Sequence, residues 1–216
     1  MEYPFTSNEY DRMRLLAISV ILDYGITAKD YPLDMDDLCK RMNINVVPYS
    51  AYTKEEVEVL LKKSKDGFNV QRTKSNRATI YFNDKYGELI TKQRISSTKG
   101  HELKHILEED KDDKEDGLCE YFSRYLRCPV PYVKYLGIKS KQELISQFDI
   151  SDSQAGYVLT NVNRHIYNYG DKFFDYEVVL LKRQLGFSLE IDQSKIMSSH
   201  EVTNGLFDEL LSYYVL

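Results

Sequence analysis

Between residues 66 and 108 the hydrophobic pattern changes period twice, and that change limits the folds open to the chain. "DGFNVQRTKSNRATIYFND" contains two β-prone runs, Phe68 to Arg72 and Ala78 to Phe82, around a polar turn near Lys74 to Asn76. Such runs, bounded by turn residues, predict a hairpin. "ITKQRISSTKGHELKHIL", residues 90 to 107, returns to the helical period.

Helices are expected on both sides of this stretch. Upstream, Met13, Leu16, Ala17, Val20 and Ile21 recur at helical spacing between Asn8 and Tyr24, with Thr6, Ser7 or Asn8 as caps and Gly25 as the stop. A short helix over roughly Asp34 to Met42, a short strand through Val46 and Val47, and a helix opened by a Thr53–Glu56 capping box come next. Downstream, "EEDKDDKED" is a polar connector. A helix through "LCEYFSRYLR" must stop at Cys128, because Pro129 and Pro131 cannot continue it. Residues 140 to 185 read as two or three helices, one capped by Ser151 or Asp152 and one, "FDYEVVLLKRQLG", ending at Gly186. The tail "NGLFDELLSYYVL" is amphipathic and suits either the core or a partner. The expected class is α+β, mostly helical with a small β-sheet, in a single domain over 1–216. Its parts are N-terminal helices at 1–66, the sheet and site helices at 67–135, and a helical part at 136–216.

The formal net charge of -5 argues against a coating role on DNA or RNA, which wants a basic surface. Three cysteines, Cys39, Cys119 and Cys128, form no CxxC pair and read as reduced thiols. No apolar run is long enough for a bilayer, and the N-terminus is polar and acidic where a signal peptide would be basic and then apolar. A cytoplasmic protein is expected, with no membrane and no direct nucleic-acid contact.

The chain has four histidines, and two of them bracket a glutamate in the order His101-Glu102-x-x-His105. On a helix, positions i and i+4 share a face, so both imidazoles can turn toward one ion. Two neutral imidazoles suit Zn²⁺, and a catalytic zinc needs a third protein ligand and an open position for water. Glu102 can reach that water as general base, which is the chemistry of metal-assisted peptide hydrolysis. The plain alternative is a solvated helix on which two histidines happen to fall. The next helix supplies candidates for the third ligand. Asp116 is the first choice and Glu115 a close rival. Glu120, one turn beyond Asp116, can hold a ligand histidine by its other ring nitrogen or ligate in its own right.

These residues resemble the ImmA/IrrE-like metallopeptidases, whose members commonly read "R-x-R-F-T-x-A-H-E-x-G-H" and then "E-x-E-A-N/D-x-F-A-x-x-L-L-x-P". The chain offers "KQRISSTKGHELKH" at 92 to 105 and "DGLCEYFSRYLRCPVP" at 116 to 131. In that register Asp116 takes the first glutamate's place, Cys119 the small-residue position and Glu120 the Asn/Asp position, while Phe122 and Ser123 stand at the Phe-Ala pair. Lys104 stands where the family has glycine, and Gly117 and Leu118 replace polar positions. The resemblance implies a zincin-like fold in which the His-Glu-x-x-His helix precedes a second ligand-bearing helix. It also implies a cytoplasmic endopeptidase of phage-like or mobile elements, with a helix-turn-helix repressor as substrate.

Other residues carry weaker signals. Arg94 matches a family arginine and reads best as a surface residue. His165, in "NVNRHIYNYG", is a candidate oxyanion donor, though an ordinary helical histidine is the better reading. Cys119 and Cys128 invite a Cys/His zinc reading, but Cys119 lies three before Phe122 on a face that should be core, so a small buried thiol is expected there. Two rivals to the peptidase remain: a regulatory protein that binds a repressor or antitoxin without cutting it, and a structural metal site that staples two helices.

Overall fold

The helix starts follow local chemistry. Thr6 and Glu9 exchange side-chain and backbone hydrogen bonds at the head of α1 (Ser7–Asp23), so two orphan N–H groups are satisfied together. The Asp34 carboxylate caps α2 (Met35–Arg41) by accepting from the Asp36 and Asp37 N–H groups. Thr53 and Glu56 form the expected capping box at α3 (Lys54–Lys63). The structure is a computed structural model that describes residues 5–74, 76–87, 90–108 and 116–214.

The chain packs as two compact units, residues 33–123 and a discontinuous unit of 1–32 with 124–216. The sequence pattern drew one domain with internal limits near 66 and 135. Packing divides the chain elsewhere because α1 joins helices far downstream, a pairing that no local periodicity reports.

In the 33–123 unit, β1 (Asn45–Pro48), β2 (Gly67–Val70) and β3 (Thr79–Phe82) form a sheet in the order β1-β3-β2. The expected hairpin is present, with β2 antiparallel to β3 and Gly67 opposite Phe82. β1 adds to the other side of β3 in parallel, with Val46 opposite Ile80. Helix α4 (Lys92–Glu108) covers β2 and β3, and α2 lies against α4 and β1. Ile80 of β3 and Leu103 of α4 are completely buried. Helix α5 (Asp116–Arg127) begins in this unit.

In the other unit, Pro129 caps α6 (Val130–Leu136) and Pro131 lies in its first turn. The prolines therefore end one helix, as expected, and start another, since the first turn needs no N–H donors. Helices α7 (Lys141–Phe148) and α8 (Asp152–Tyr169) pack together, α8 being capped by Ser151. The two-residue strands β4 (Phe173–Phe174) and β5 (Ile196–Met197) pair in parallel beside α9 (Asp175–Leu185). The short α10 (His200–Thr203) and α11 (Asp208–Tyr214) close the chain, and α11 packs on α9. Helix α9 also contacts α1 and α6, and its Tyr176, Leu180 and Leu181 are wholly buried. The fold is α+β and mostly helical. Among the described residues no helix is long and apolar enough to cross a membrane.

Candidate metal centre

Two small residues set how closely α4 and α5 approach. A Cβ placed on Gly100 would lie 2.2 Å from Ser123 Oγ, and that hydroxyl donates to the Ser97 carbonyl at 3.1 Å. Any larger residue at Gly100 would push the helices apart. Contacts run in opposite directions along the pair, from Ser97 and Gly100 against Ser123 to His105 against Cys119. His101 and His105 lie one turn apart on α4, and Cys119 lies one turn before Ser123 on α5.

The three side chains converge. His101 Nε2 and His105 Nε2 are 3.3 Å apart, and Cys119 Sγ is 3.4 Å from His105 Nε2. All three donor atoms lie within 4.8 Å of one another. Two imidazole nitrogens on one tetrahedral zinc, each about 2.0–2.1 Å from the ion, stand about 3.3 Å apart, and a nitrogen and a thiolate sulfur about 3.6 Å apart. The His101–His105 and His105–Cys119 separations are close to those values. Two Nε2 atoms at this separation can share one proton as a hydrogen bond, and a cation between them would engage both lone pairs at once. These residues therefore fit a metal ion. His105 and Cys119 are buried and the His101 side chain is 24% exposed, so the cluster opens to solvent on the His101 side.

Asp116, at the start of α5, places Oδ1 3.6 Å from His101 Nε2, but its side chain is 64% exposed and it stands outside the compact trio. Glu120 is exposed, and no contact with either histidine is found among the described residues. Glu115 lies outside the described residues. Glu102 is 8% exposed, and its Oε2 accepts from Asn69 Nδ2 of β2 at 2.8 Å. Burial, and then the Glu102 carboxylate, push the neighbouring Tyr49 phenol up to about 12. The His105 carbonyl accepts from Gln71 Nε2 at 2.7 Å, which ties the end of β2 to the ligand turn of α4. Lys104 does not reach outward. It is fully buried and ion-paired with Glu108 at 2.9 Å.

The remaining candidates lie elsewhere. Arg94 makes a bidentate pair with Asp66 at 2.7 and 2.8 Å on an exposed surface. His165 belongs to the other unit, where Glu177 and Lys134 hold its two ring nitrogens. Burial pushes the Cys39 thiol up to about 12 and Cys128 well above the usual thiol range. Sequence reasoning placed Cys119 in the core, and it is buried. What that reading missed is the direction of its sulfur. The signal was Cys119 and Ser123, four apart and so on the one face of α5 that meets α4. Asn69 and Gln71, which hold Glu102 and the His105 turn, had no signal beyond their place in a strand.

Comparison with known proteins gives no matching family model, no matching curated protein and no matching solved structure.

Proposed function

We propose that the chain is a zinc-dependent endopeptidase whose ion is held by His101 and His105. The observation that carries this reading is the 3.3 Å separation of the two Nε2 atoms beside a buried, hydrogen-bonded Glu102 on the same helix. The zinc, when bound, polarises the scissile carbonyl and acidifies the attacking water. Glu102 accepts that water's proton and delivers it to the leaving amine. Asn69 holds the carboxylate in one orientation, so the base is positioned before substrate arrives. Three free cysteines fit action in a reducing cytoplasm. The substrate class, a helix-turn-helix repressor, rests on the resemblance of the two site helices to ImmA/IrrE-like metallopeptidases.

Glu102→Gln tests the mechanism. The variant should retain stoichiometric zinc and lose cleavage of a repressor encoded beside the gene by about 10²–10⁴-fold. Full cleavage by this variant would remove Glu102 from the mechanism. A second reading, a structural ion that staples α4 to α5, draws on Asp116, whose carboxylate stands 3.6 Å from His101. It requires four protein ligands and no exchangeable water, which cobalt substitution and its absorption spectrum distinguish.

A further inference from the structure

We infer that Cys119 supplies the third metal ligand as a thiolate, so that the ion is held by a His₂Cys set and is lost when that sulfur is oxidised. The inference rests on the metal reading above and concerns how the same site is regulated. The chain contains three thiols in two different settings. Burial raises the pKa of the Cys39 and Cys128 thiols, which keeps them protonated and inert. The Cys119 sulfur instead faces an imidazole nitrogen at 3.4 Å, within a trio of donor atoms that all lie within 4.8 Å of one another. Asp116, the expected third ligand, falls outside that trio and carries its carboxylate at the solvent rim. Helix α5 cannot turn to exchange the two, because Ser123, on the stripe of Cys119, is locked against Gly100 and the Ser97 carbonyl.

A thiolate ligand carries a liability that a carboxylate lacks. Its sulfur can attack one oxygen of a hydroperoxide. The S–O bond forms as the O–O bond breaks, and the departing oxygen leaves as water after taking a proton from solvent. Sulfur loses two electrons and the peroxide gains them. The product, a sulfenic acid at Cys119, is no longer the soft, fully charged donor that completed the set. Peroxide can enter on the partly exposed His101 side. Recovery needs two equivalents of an external thiol, the first forming a mixed disulfide and water, the second releasing the Cys119 thiol.

The test uses the full chain loaded with zinc. Hydrogen peroxide is added, released zinc is followed with a chromogenic chelator, and the oxidised cysteine is located by peptide mass spectrometry. Zinc release should track oxidation of Cys119, and a thiol reductant should restore binding. Cys119→Asp should keep zinc under the same treatment. Zinc retained with Cys119 oxidised, or released equally from Cys119→Asp, overturns the proposal. A second measurement covers a variant that fails to fold. The wild-type chain loaded with cobalt should show a near-ultraviolet thiolate-to-cobalt charge-transfer band. Cobalt bound without that band removes Cys119 from the site and leaves the two-histidine reading standing. No uptake of either metal overturns both.

Discussion

The His101–His105 pair and His165 place the same side chain in opposite settings. At His165 the Lys134 ammonium has only hydrogens to offer, so Nδ1 accepts at 3.2 Å and Nε2 carries its proton toward Glu177 at 3.1 Å. Tyr169 and Phe174 meet the ring edge-on. Both nitrogens are satisfied, and nothing further is required of the group. At the α4–α5 cluster two Nε2 atoms and a sulfur converge, and a cation there would engage all three. Whether a buried histidine is structural or ligating is decided by what its nitrogens face, and depth alone does not decide it.

The largest test of this contrast is removal of the ion. With zinc at about a thousand times its Kd, binding contributes about 4 kcal/mol, so a chelator should lower the unfolding midpoint markedly. The same chelator should leave His105→Ala unmoved, and a calorimetric scan of both proteins checks this. Next in size, Glu177→Ala strips the partner from His165 and from the Phe174 N–H in a fully buried setting. It should cost about 3 kcal/mol in urea unfolding while zinc stoichiometry stays unchanged. Zinc lost from that variant would mean the two histidine sites are coupled. Gly100→Ala should then cost about 1–3 kcal/mol by overpacking against Ser123. It should also weaken zinc binding by about 10-fold or more, which competition with a chelator of known affinity would read. The smallest effect concerns Lys134, whose pKa burial holds below its ordinary value of 10.5. A base depressed on folding binds fewer protons folded than unfolded, so its contribution to stability rises with pH in the window below 10.5. Lys134→Met should flatten that part of the difference curve.

Much of the fold was legible in the sequence because it is locally encoded. The cap at Thr6, one of three candidates there, the capping box at Thr53, the β2–β3 hairpin and the stop before Pro129 all follow from neighbours a few residues apart. What escaped was long-range. The parallel docking of β1 on β3, the tiny β4–β5 pair and the return of α1 to α9 depend on contacts that no window of pattern contains. The site divided in the same way. Two imidazoles one turn apart are fixed by helix geometry, so their convergence could be read directly. The third donor depends on the rotation of α5 about its own axis. That rotation is set by Ser123 packing on Gly100, and it brings Cys119 inward while Asp116 and Glu120 face solvent.

The Gly100–Ser123 contact also has a bearing on how such a site can change over generations. Neither residue belongs to the His101–His105–Cys119 cluster, yet together they fix the offset between the two helices that carry it. A change of donor at position 119 would leave that offset in place. Bulk at position 100 would spoil the alignment whatever donors were present, so the most restrictive residue in the centre is the one with no side chain.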